Sequence, residues 1–227
     1  MRPSSDSVSN SSKVQQKAFD LLVSAALNGI TQSFRLLGEC YLLGRGTSKD
    51  LDEAVHYYRK GAKAGDEMSM FRLAKLLLDD DITADINHRA PILSEGTEAD
   101  DNPDPSPPFI TDTISATTAE AVQWMRSASA LGHVDATVEL GKMYEFARAG
   151  VPAEDSHAAL AYYQAAADAG HGDAAFFAAN ILYSQACTQF GKLELMLRAA
   201  DLYRRAAELG TNLHIEHMYN SILLSAI

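Results

Sequence analysis

The sequence predicts an all-α fold, a solenoid (α-α superhelix) of about four helical hairpins with a half-repeat before them and a capping helix after them. Three observations carry that expectation. Glycines that close Ala-rich stretches recur at Gly29, Gly65, Gly132, Gly170 and Gly210, with separations of 36, 67, 38 and 40 residues. Eleven residues before each stands an alanine, Ala18, Ala54, Ala121, Ala159 or Ala199, followed three or four positions on by large apolar side chains such as Tyr57 and Tyr58 or Tyr162 and Tyr163. Nine residues after each of the first four glycines comes a small residue, Gly38, Ala74, Gly141 or Ala179, with Tyr41, Leu77, Tyr144 or Leu182 three further on.

Each offset has a physical meaning. An alanine and a large apolar residue three or four positions later share one helical face, and small residues let two helices approach while aromatics fill the space beside them. A glycine just past an Ala-rich turn suits a helix C-terminus, where a left-handed residue stops the helix. Each period therefore reads as helix A, loop, helix B, tight turn. A single hairpin cannot bury its apolar face, so neighbouring repeats must stack.

Taken in order, residues 1–12 are expected to form a disordered N-terminal tail, and 13–227 the solenoid. A first B helix is expected over about 14–28, then A and B pairs ending near Gly65, Gly132, Gly170 and Gly210. A last helix, 213–226, is expected to cap the stack. In the second repeat the alanine expected near position 90 stands at Ala121, so about 31 residues are inserted between its A and B helices.

That insertion lies within residues 79–117. It holds ten acidic residues, among them Asp79, Asp80, Asp81, Glu98, Asp100, Asp101 and Asp104, against the single basic Arg89. Five of the chain's seven prolines are also there, so a disordered acidic segment is expected. One reading is a solvated loop, tolerated because closure entropy grows slowly with length. The other is a tethered acidic element for a basic partner, to which phosphorylation at Ser106-Pro107 would add charge.

Composition narrows function. With 227 residues, 47% hydrophobic and 22% charged, the chain has enough apolar material for a substantial core. A net charge of −11 argues against nucleic-acid binding, where cationic contacts to phosphate dominate affinity. The start is polar and Ser-rich, and no run of about 18 apolar residues occurs, so neither a secretory signal nor membrane insertion is expected. The cytoplasm is the expected location, with a mitochondrial address as the alternative. Cys40 and Cys187 lie apart in helical patterns and read as free thiols.

No chemistry-bearing motif emerges, and no cofactor, metal or catalytic residue is expected. Gly44-Arg45-Gly46 lacks the spacing of a phosphate loop and reads as a turn. His214, Glu216 and His217 lack a third ligand for zinc. His133 and His171 each follow a repeat glycine and read as turn residues in equivalent places.

The stretch LLGECYLLGRGTSKDLDEAVHYYRKGAKAG, residues 36–65, resembles a Sel-1-like repeat, a tetratricopeptide relative, through Gly38, Tyr41, Gly44, Gly46, Asp50, Ala54, Tyr58, Ala62 and Gly65. ELGKMYEFARAGVPAEDSHAALAYYQAAADAG, residues 139–170, resembles it through Gly141, Tyr144, Gly150, Asp155, Ala159, Tyr163, Ala167 and Gly170. Two further copies are degenerate, one interrupted after Leu78 and one without its glycine loop between Tyr183 and Leu195. The resemblance implies a right-handed superhelix acting as a non-catalytic adaptor or scaffold for a protein or peptide partner. The alternatives are a permanent subunit of a larger assembly and an enzyme whose site the sequence does not show. In relatives of this architecture the A helices line the concave face, so the residues after the small A-helix positions, Glu39, Lys75, Lys142 and Asn180, are the expected partner-binding set.

Overall fold

The computed structural model describes residues 5–79, 110–149, 151, 155–188 and 193–210. Among these there are nine α-helices and no strand: α1 (Ser5–Leu27), α2 (Thr31–Leu43), α3 (Leu51–Lys63), α4 (Glu67–Leu77), α5 (Ile110–Ala130), α6 (Val134–Glu145), α7 (Ser156–Asp168), α8 (Gly172–Thr188) and α9 (Leu193–Glu208). The chain forms two compact units, Met1–Trp124 and Met125–Ile227, with the boundary inside α5.

Helix starts are set by side chains that accept from otherwise unpaired backbone N–H groups. Asp50 accepts from Glu53 N, Asp66 from Ser69 N and Asp155 from His157 N and Ala158 N. His133 and His171 do the same work, each accepting through Nδ1 at 3.2 Å from the N–H three residues on. The expected turn histidines are therefore helix caps, equivalent by position to Asp66. Ile30 occupies that place before α2 and supplies no side-chain cap.

Helix ends follow the expected glycines. Gly65 holds φ +89° and Gly170 φ +90°, and a methyl group on either would meet nothing within 4 Å. Backbone conformation alone requires glycine there. In the first repeat Gly44 and Gly46, at φ +67° and +74°, continue the turn after α2. Their equivalents after α6 are Ala147 and Ala149, held left-handed at φ +48° and +59°. An L-residue pays roughly 1–2 kcal/mol for that conformation. The double variant Ala147→Gly/Ala149→Gly is therefore expected to stabilise the protein by about 1–2 kcal/mol, read as a raised urea midpoint at unchanged slope.

Within the first unit α1 packs on α2, α2 on α3 and α3 on α4. Within the second, α6 packs on α7, α7 on α8 and α8 on α9. Each B helix from α3 onward buries a triad spaced i, i+4, i+7: a small residue, a large one and a small one. In α3 it is Ala54, Tyr58 and Gly61; in α5 it is Ala121, Met125 and Ala128. In α7 it is Ala159, Tyr163 and Ala166, and in α9 Ala199, Tyr203 and Ala206. The small members let the facing helices close in: a methyl on Gly38 would lie 2.8 Å from the Tyr58 ring, and one on Gly61 would strike the Ser69 side chain.

Three boundaries differ from expectation. The tail expected at 1–12 is helical from Ser5, and the insertion expected to run to 117 gives way to α5 at Ile110. Neither 5–12 nor 110–117 contains proline or glycine, and extending a nucleated helix through polar residues is inexpensive beside starting one. α8 runs on to Thr188 because the glycine loop that stops α2 has no counterpart there. The expected capping helix, 213–226, and the insertion residues Asp80, Asp81, Glu98, Asp100, Asp101 and Asp104 lie outside the described residues; Asp79 is the last one described before them, and is exposed.

Candidate functional site

The A helices present two kinds of side chain next to each other. The small residues and their apolar neighbours are sealed: Leu37, Ala74, Leu140 and Ala179 are all fully buried. The residues directly after the small positions point into partly open surroundings, and their geometry separates them.

Glu39, on α2, is about one-quarter exposed and pairs with Arg35 one turn earlier at 3.4 Å. Lys75, on α4, is exposed, its Nζ 6.0 Å from the centre of the Phe71 ring. Both belong to the first unit, on helices that touch. In the second unit Lys142, on α6, pairs with Glu139 at 3.0 Å and lies 5.8 Å from the Phe177 ring of α8. Asn180, on α8, is engaged internally, its Oδ1 accepting from the Tyr203 hydroxyl at 2.5 Å. The structure thus leaves three of the four as surface charges and uses the fourth to satisfy a buried phenol.

Three buried tyrosines bring polar atoms to these A-helix faces. Tyr163 donates to Glu145 Oε2 at 2.7 Å, and Tyr203 to Asn180. Tyr58, 1% exposed, has a buried hydroxyl without a hydrogen-bond partner among the described residues. Burial, reinforced by the neighbouring Glu39, pushes Tyr58 up to about 12, with Arg72 and Arg35 opposing. Burial also pushes Tyr203 up to about 12, and burial with the Glu145 contact raises Tyr163 further. All three stay protonated donors at neutral pH. Cys40 is also raised, chiefly by burial, so the thiol beside Glu39 is a poor nucleophile.

The aromatics expected to be core are packed in register. Tyr41 stacks on Tyr57 at 5.5 Å, and in the second unit Tyr144 stacks on Tyr162 at 5.4 Å. Arg126 donates to the Tyr144 hydroxyl at 2.8 Å. Sequence spacing did not mark the hydroxyl pairings, since each partner lies about 20 residues away on a different helix. Among the described residues there is no cluster of three or more His, Cys, Asp or Glu placed to hold a metal, and no helix long and apolar enough to cross a membrane.

The Sel1 repeat model matches residues 9–30, 35–66, 118–133, 134–171 and 194–211, more than half of the chain. Among curated proteins the chain is similar to chitin synthase regulatory factor 4 of Schizosaccharomyces pombe, 30% identical over 183 residues, covering 70% of this chain and 28% of that protein. It is also similar to DAP3-binding cell death enhancer 1 of Rattus norvegicus, 44% identical over 62 residues, covering 27% of this chain and 12% of that protein. The chain thus spans less than a third of the length of these relatives. Among solved structures it is similar to a Sel1 repeat protein from Oxalobacter formigenes, with TM-score 0.61, 23% identity and coverage of 88% of this chain and 66% of the other. A protective antigen of uropathogenic Escherichia coli that displays the SLR fold is similar at TM-score 0.59 and 18% identity, over 86% of this chain and 34% of that one. These likenesses establish the fold.

Proposed function

We propose that this chain, which belongs to the Sel1 repeat family, is a non-catalytic adaptor that holds a protein or peptide partner against the charged side chains of its A helices. Sel1 repeat proteins generally mediate protein–protein interaction, and the finer assignment of the surface rests on one observation. Glu39, Lys75 and Lys142 each follow a residue buried in the repeat core, so their backbone positions are fixed while their charges face outward. Charges held on rigid elements choose partners by complementarity, and the mixed signs here suit a polypeptide rather than a polyanion. The name of the fission-yeast relative, a regulatory factor, fits a protein that acts on another protein. A cytoplasmic location is part of this proposal.

The test compares proteins that co-purify with the tagged chain and with its Glu39→Lys/Lys75→Glu/Lys142→Glu variant, at two salt concentrations. The reversals turn the Arg35–Glu39 and Glu139–Lys142 pairs into like-charge pairs, each costing about 0.2–0.5 kcal/mol, so the variant is expected to melt a few degrees lower and to stay folded at the assay temperature. Loss of two favourable charge contacts is expected to lower partner recovery by about tenfold or more. Undiminished recovery with the variant would remove the A-helix face from the proposal. A parallel deletion of residues 82–109, which stops before α5, separates this face from the acidic insertion, since binding through the insertion would fail in the deletion and survive the charge reversal.

A further inference from the structure

Among the described residues, the first B helix has no A helix on the face that its equivalents bury. In α7 the triad Ala159, Tyr163 and Ala166 is at most 1% exposed, and in α9 Ala199, Tyr203 and Ala206 are at 0%. The same places in α1 are Ala18, Leu22 and Ala25, of which Ala18 is exposed and the other two are half-buried. Val14 and Leu21 extend this stripe at 64% and 72% exposure, so Val14, Ala18, Leu21 and Ala25 line one face at i, i+4, i+7 and i+11. Phe19 and Gln15 lie elsewhere on α1, against the first glycine loop. The open stripe is therefore a second face, separate from the one that packs on α2.

The fold itself shows what fits such a face. On α7 it is the A helix α6, whose Gly141 sits so close to the Tyr163 ring that a methyl there would lie 2.5 Å from it. α6 is also acidic, with Asp135, Glu139 and Glu145 against Lys142. Along one edge of the α1 stripe stand the exposed Lys13 and Lys17, one turn apart, in a protein whose net charge is −11. We propose that this face of α1 docks an acidic amphipathic helix of a protein partner, with a glycine or alanine against Leu22 and carboxylates opposite Lys13 and Lys17. This surface is distinct from the A-helix face proposed above and stands whether or not that reading holds.

The probe is a helix-stapled, fluorescently labelled peptide of residues 133–146, the A helix that fills the equivalent face on α7, titrated with the 227-residue chain by fluorescence anisotropy. Binding is expected, weakened about tenfold or more by Leu21→Glu and by Lys13→Glu/Lys17→Glu, and lost when the peptide carries Gly141→Leu. Leu21 is exposed, so the Leu21→Glu protein is expected to melt as the parent does. No rise in anisotropy overturns the proposal. Binding indifferent to Leu21→Glu does so as well, since the peptide would then be occupying the place of α6. Sedimentation equilibrium supplies a third result: a dimer of the parent that Leu21→Glu dissolves would assign the face to a second copy and refute the partner-helix proposal.

Discussion

Replacing Tyr163 by alanine is expected to remove about 3–5 kcal/mol of stability, the range for deleting a fully buried aromatic side chain. The ring is 0% exposed, packs against Gly141 and lies 5.2 Å from Phe177, so its loss opens a cavity between α6, α7 and α8. Glu145 also loses its donor. Against a typical domain stability of roughly 5–15 kcal/mol the change is large, and for a chain of this size it corresponds to a melting-point fall on the order of 10 °C. Tyr163→Phe separates ring from hydroxyl: it keeps the packing and is expected to cost about 1 kcal/mol for the lost hydrogen bond. The equivalent change at Tyr58 is expected to cost nothing or to stabilise slightly, because that hydroxyl has no partner to lose. A Tyr58→Phe variant as impaired as Tyr163→Phe would show that the Tyr58 hydroxyl is satisfied in solution. Calorimetric or urea melts of the three variants beside the parent check the whole set.

The contrast between these tyrosines shows where sequence reasoning reaches and where it stops. Tyr58, Tyr163 and Tyr203 stand in register, and their burial follows from the alanine four residues before each and the repeat glycine seven after. That pattern is a property of one helix and is written in one stretch of chain. The hydroxyl partners come from other helices, and the repeats fill that role differently: Glu145 in one, Asn180 in another and none for Tyr58 among the described residues. Asn180 is legible as a position but not as the acceptor for a buried phenol, because its role depends on a side chain 23 residues away.

Backbone requirements divide the same way. A glycine such as Gly65 announces a left-handed turn because little else tolerates it, whereas Ala147 and Ala149 hold the same geometry with residues that read as helix formers. Their strain is a tertiary effect, held by the elements on either side. His133 and His171 stand at the turn where repeat spacing places them, and the structure adds their task as caps. The extra turns of α1 before residue 13 and of α5 before residue 118 show the limit of polarity as a stop signal: a helix ends where its backbone must, and serines and threonines slow that end without forcing it. For the candidate site, repeat spacing gives the positions of the A-helix charges, while the open stripe of α1 depends on burial by other helices, which no single stretch of chain encodes.

Gly141→Val is expected to be the most damaging small substitution, at about 3 kcal/mol. A single methyl at this position already approaches the Tyr163 ring to 2.5 Å, nearer than van der Waals contact allows, and the ring is sealed on every side. Valine adds two further methyl groups, so either α6 and α7 separate or Tyr163 leaves its place; overpacking of this kind costs about 1–3 kcal/mol, occasionally more. The helix propensity gained by replacing glycine is a few tenths of a kcal/mol and does not change the sign. Gly65→Ala supplies the comparison, because there the added methyl meets nothing within 4 Å and the cost is only the left-handed backbone, roughly 1 kcal/mol. The two glycines thus predict different responses to side-chain size. At position 65, alanine and serine should be about equally costly, since strain depends on φ. At position 141 the cost should climb steeply from alanine to valine, since it depends on volume. Urea melts of the two series decide the matter, and a flat response at position 141 would mean that Tyr163 moves aside and that the close approach of α6 to α7 is not what holds the repeat together.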